Sequence, residues 1–102
     1  MINGTTTQAL IFKARMQATE ELKEKKELLE IWDDNSNDTM GEVLYYEALI
    51  ELEDTPQVEH ALRNAYRKHE RACRVYDKVY DTVRNLEQVI DALRTAEYYI
   101  DD

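Results

Sequence analysis

One hundred and two residues is the length of a single domain. Two glycines and one proline among 43% hydrophobic and 34% charged residues leave too few turn residues for a strand-rich fold and argue against collagen-like and disordered classes, so the composition is that of a helical protein. Twenty-two acids against 13 bases give a net charge of −9, which disfavours binding of the molecule as a whole to a polyanion or an acidic membrane surface.

Thr5, Thr6 and Thr7 offer N-cap oxygens ahead of a first helix over about 8–32, in which Ile11, Ala14, Ala18, Leu22, Leu29 and Trp32 recur at helical steps. The charged stretch Glu20 to Glu27 is expected to face water over most of its circumference. Asp33 to Asp38 reads Asp-Asp-Asn-Ser-Asn-Asp, and short polar side chains that compete for backbone hydrogen bonds predict an acidic loop over 33–38. Thr39 and Glu42 have the spacing of a capping box, opening a second helix over about 40–53 with Met40, Val43, Leu44, Ala48, Leu49 and Leu52 as its apolar residues. Thr55-Pro56 then caps and starts a third helix over about 56–100, since proline fits a first helical turn.

The third helix carries the clearest pattern. Alternating steps of four and three lead from Val58 through Leu62, Ala65, His69, Ala72, Tyr76, Val79, Val83, Leu86, Ile90, Leu93 and Glu97 to Ile100, and eleven of these thirteen are apolar or tyrosine. A heptad seam of this length faces another helix throughout. Between Ala61 and Tyr80 its flanks are also apolar or aromatic, a width that suits two neighbouring helices. The expected fold is therefore all-α: an up-down-up three-helix bundle, one domain over 1–102, with a long heptad-patterned C-terminal helix. Val83, Leu86, Ile90, Leu93 and Ile100 form a seam that either the first helix or a second copy of the chain would cover.

Charge is segregated along the chain. Residues 34–55 hold seven acids and no base, whereas residues 56–84 hold four acids and seven bases. Asp34, Asp38, Glu42, Glu47, Glu51 and Asp54, with Tyr45 and Tyr46 among them, predict an acidic partner-binding surface. Arg63, Arg67, Arg71, Arg74 and Lys78 step by four and three into a basic ridge opposite the apolar stripe, with Glu59 and Glu70 four residues before Arg63 and Arg74.

Catalytic equipment is sparse. Asp33, Asn35 and Asn37 match the opening of an EF-hand loop, but Asp38 stands where the turn needs glycine and Leu44 where the bidentate carboxylate belongs. His60 and His69 have no metal-binding spacing, and His69 on the seam reads as a register-fixing polar residue. Cys73 reads as an inert helical thiol with no histidine placed as its base. The sequence lacks a phosphate loop and a CxxC pair, and its lone serine is Ser36, so no catalytic residue, metal or cofactor is expected.

A single cysteine fits a reducing, cytoplasmic setting. The apolar run Ala9 to Phe12 is too short for a signal-peptide core or a membrane span. The leading functional expectation is a non-enzymatic acidic binding module, an adaptor or inhibitor docking on a basic protein surface, in its sharpest form a nucleic-acid mimic that occupies a nucleic-acid-processing enzyme. Self-assembly as a coiled-coil homodimer and direct nucleic-acid binding through the ridge from Arg63 to Lys78 are the alternatives.

Overall fold

The computed structural model describes residues 6–100 and contains two long α-helices, α1 (Thr7–Leu52) and α2 (Pro56–Tyr99). The protein is all-α, as composition requires, but the expected three-helix bundle is corrected to two helices. The acidic loop is absent: residues 33–38 are helical, and α1 joins the predicted first and second helices without a break.

Asp, Asn and Ser each cost at most roughly 0.7 kcal/mol relative to alanine in a helix, and no glycine or proline lies within 33–38 to stop the ladder. Tertiary contacts offset that cost. Trp32, Ser36, Thr39 and Val43 recur at steps of four, three and four and are all buried or half-buried, so the seam of α1 runs straight through the polar stretch. Thr39 is accordingly no capping residue; its hydroxyl donates to the Ser36 carbonyl at 3.0 Å.

Each helix starts on a threonine N-cap. The Ala9 amide donates to Thr6 Oγ1 at 3.1 Å, and the Val58 amide to Thr55 Oγ1 at 3.2 Å, with Pro56 in the first turn of α2. Between the helices, the Glu53 amide donates to the Leu49 carbonyl at 2.8 Å and the Thr55 amide to the Glu53 carbonyl at 3.1 Å.

The chain divides into two compact units. The terminal unit pairs α1 up to Glu27 with α2 from Tyr80 onward. Ala18, Val83 and Ile90 are buried there, with Ile11, Leu22, Leu86, Leu93 and Ile100 half-buried. Val83, Leu86, Ile90, Leu93 and Ile100 are thus covered within one chain, by α1. Arg15 Nε donates to Glu97 Oε2 at 2.9 Å across the same seam, and Gln8 Nε2 to the Ile100 carbonyl at 2.8 Å.

The hairpin unit, Leu28–Val79, buries Val43, Val58, Ala65, Ala72 and Val79. All thirteen positions of the heptad from Val58 to Ile100 are buried or half-buried. The flanking apolar width expected to need two neighbours has one: Tyr66 and Tyr80 remain exposed. A helix facing a single partner buries one stripe, which is why Leu10, Phe12 and Met16 in the terminal unit and Ile31, Met40, Leu44, Tyr45 and Leu52 in the hairpin unit stay exposed.

Candidate functional site

The hairpin unit carries the residues of the expected acidic surface and of the basic ridge. On the side of α1 turned from α2, Ile31, Asp34, Asp38, Gly41, Tyr45, Ala48 and Leu52 follow one another at alternating steps of three and four, all exposed. Leu44 and Glu51 flank this line, and Asp54 lies in the exposed connection. Met40, Leu44, Ala48 and Leu52, apolar residues of the expected second helix, lie on the surface because α1 runs unbroken and its seam follows Thr39, Val43, Tyr46 and Ile50.

Three members of the expected acidic surface are held by α2 or turned toward it. Tyr46 is half-buried on the seam. Glu42 lies 3.8 Å from Lys68 Nζ, and Glu47 Oε2 accepts the Tyr66 phenol at 2.8 Å. That hydrogen bond first, then desolvation and the Glu47 charge, raises the Tyr66 pKa above its ordinary 10.0. Tyr45 rests against Tyr46 edge to face, with ring centroids 5.0 Å apart, and presents the exposed member of the pair.

The basic ridge is exposed along α2: Arg63, Arg67, Arg71, Arg74 and Lys78, with Arg74 Nη1 3.7 Å from Glu70 as the i,i+4 spacing predicts. Two shallow grooves run between the helices on one side. The first, about 290 Å³, is lined by Trp32, Asn35 and Thr39 of α1 with Lys68, Arg71 and Ala72 of α2. The second, about 160 Å³, shares Lys68 and adds Glu42, Tyr46, Ala61, Asn64 and Ala65.

A polar cluster interrupts the seam. Thr39 Oγ1 lies 3.0 Å from His69 Nδ1, and Cys73 Sγ lies 3.6 Å from His69 Nε2 and 3.5 Å from Ser36 Oγ. Because the Thr39 hydroxyl donates to the Ser36 carbonyl, its oxygen accepts from His69 Nδ1–H, leaving Nε2 to accept the Cys73 thiol proton. This corrects the reading of Cys73 as lacking a nearby histidine. His69 precedes it by one helical turn, a spacing the sequence displayed. The cluster is closed by its own hydrogen bonds, and two of them, Thr39–His69 and Ser36–Cys73, tie α1 to α2 at one register.

Asp33, Asn35 and Asn37 sit on continuous helix, which sends Asn35 about 200° around the axis from Asp33, so these side chains do not converge as calcium ligands. Among the described residues no group of three or more His, Cys, Asp or Glu side chains is arranged to hold a metal ion, and no helix is long and apolar enough to cross a membrane. No protein-family model, curated protein or solved structure matches this chain.

Proposed function

We propose that this protein is a non-enzymatic helical interaction module, an adaptor or inhibitor that docks the outer face of α1 on a partner protein of basic and apolar surface. The supporting observation is the interleaving, along one exposed helical line and its flank, of carboxylates, Asp34, Asp38 and Glu51, with Leu44, Tyr45 and Leu52. Carboxylates steer a basic partner and give orientation; exposed leucine and tyrosine supply the apolar area that anchors an interface. Gly41 sits in the middle of this line although glycine in a helix costs about 1 kcal/mol relative to alanine, and a Cβ built there meets nothing within 4 Å. The bare backbone leaves room for a partner's side chain to approach closely.

A nucleic-acid-processing enzyme is the partner class in which the carboxylates would stand in for phosphates. The reading includes a cytoplasmic location, since one thiol needs no oxidising compartment. Affinity capture from the cells that make the protein tests it, comparing the native chain with the Asp34→Lys, Glu51→Lys variant. The expected result is a partner held by the native chain, released by salt and lost in the variant, with displacement by duplex DNA marking the mimic form. Equal capture by the variant overturns the reading.

A further inference from the structure

We infer that the hairpin unit pairs with a second copy of itself through the side that carries the two grooves, with α1 of each copy lying on α2 of the other. Glu42 of α1 and Lys68 and Arg71 of α2 line those grooves, with Glu42 3.8 Å from Lys68. Helical steps of three and four carry the line of Glu42 through Asp38, Tyr45 and Leu49, where it meets the edge of the outer face of α1, and the line of Lys68 and Arg71 on to Val75.

The charge pattern selects the occupant. Within the hairpin unit, residues 28–55 hold nine acids and no base, while residues 56–79 hold six bases and three acids. A uniformly basic partner laid over this side would meet the acids of α1 but be repelled by Lys68 and Arg71, and a uniformly acidic one would suffer the reverse. A second copy, turned about a two-fold axis that runs parallel to the helices between the two copies, lays α1 of each on α2 of the other and matches both helices at once.

The levels also agree. The contacts of Ser36 with Cys73 and of Thr39 with His69 place the acids Asp38 and Glu42 of α1 alongside the bases Lys68 and Arg71 of α2 in the same stretch of hairpin. One axis through that stretch therefore brings the acids of each copy to the bases of the other, twice over. Apolar area follows the same arrangement: the unit by itself buries only valine and alanine, leaving Ile31 at 61% and Tyr45 at 60% exposed. Four helices packed in this way cover the half-buried Leu49, Ala61 and Val75 as well. Asp34, Leu44 and Glu51, on the far side of α1, stay outside this contact, whereas Asp38 and Tyr45 belong to both surfaces; the pairing is read from the mass of the chain by itself, so its test is separate from that of the docking proposed above.

Light scattering after size exclusion, at about 0.1 mM and low salt, tests the pairing. The native chain is expected at twice its 12.1 kDa mass. The variants Asp38→Lys, Glu42→Lys and Lys68→Glu, Arg71→Glu are each expected at monomer mass with helical circular dichroism retained, and an equimolar mixture of the two is expected to return to dimer, because each then meets opposite charge on both helices. The neutral pair Asp38→Asn, Glu42→Gln, which adds no repulsion within the fold, is expected to weaken association about tenfold. A monomeric native chain overturns the inference, as does a dimer that all these variants leave intact or a mixture that stays monomeric.

Discussion

The terminal and hairpin units are built on one seam pattern filled in two ways. In the terminal unit Ala18, Leu22, Val83, Leu86, Ile90 and Leu93 meet as apolar side chains, and the polar contacts lie toward its open end, at Arg15–Glu97 and Gln8–Ile100. In the hairpin unit Val43, Ala65, Ala72 and Val79 share the seam with Ser36, Thr39, His69 and Cys73. Apolar contacts are non-directional, so sliding one helix past the other by a heptad would still lay apolar on apolar. The same slide would strip His69 from Thr39 and Cys73 from Ser36. Burial supplies stability in the terminal unit, and directional hydrogen bonds specify alignment in the hairpin unit.

Substitutions can break this contrast at graded cost. The largest expected effect is Ile90→Ala, which removes a buried side chain from the apolar seam and is expected to cost about 2–5 kcal/mol in urea unfolding, an effect on the scale of a domain's whole stability. Thr39→Val keeps the shape but takes away the acceptor for His69 Nδ1–H. It is expected to cost about 1–2 kcal/mol and to speed amide exchange in the hairpin unit more than in the terminal unit; uniform speeding would mean that register is not held there.

Gly41→Ala sharpens the contrast in the opposite direction. The site is exposed and open, so about 1 kcal/mol of stabilisation is expected from thermal melting, together with weaker partner capture if close backbone approach matters. Thr55→Ala removes the N-cap of α2 and is expected to cost about 1 kcal/mol. The smallest effect belongs to Tyr66. Its raised pKa means that the folded state favours the neutral phenol, so the contribution of this bond is present below pH 10.0 and is lost as pH climbs through the raised value. Ultraviolet titration should show the Tyr66 phenolate appearing earlier in Glu47→Gln, and an unchanged alkaline titration would mean that the bond does not persist in solution.

α2 was legible residue by residue, because Val58 to Ile100 keep an almost unbroken apolar heptad and Thr55-Pro56 announces its start. The seam of α1 was not. It follows Ile11, Arg15, Ala18, Leu22, Lys25, Leu29, Trp32, Ser36, Thr39, Val43, Tyr46 and Ile50 with the same regular step, but Arg15, Lys25, Ser36 and Thr39 disguise it. A polar residue at a seam position resembles a surface residue until its partner on the other helix is known. The partner of Ser36 is 37 positions away and that of Thr39 is 30 positions away. The basic ridge and the Asp34–Asp38 line were visible as charge patterns; Glu42 and Glu47 were visible as acids, but not as groups engaged by Lys68 and Tyr66.

What the sequence determined by itself was helical class, the charge division between residues 34–55 and 56–84, the start of α2 and its buried stripe, since all of these follow from local periodicity and composition. Only the tertiary structure decided that Asp33 to Asp38 would be helix. Local propensity there leans toward a turn by a few tenths of a kcal/mol per residue, and the matching of Ser36 and Thr39 with Cys73 and His69 outweighs it. The same decision turned Leu44 and Leu52 outward and left the acidic line they interrupt as an open surface.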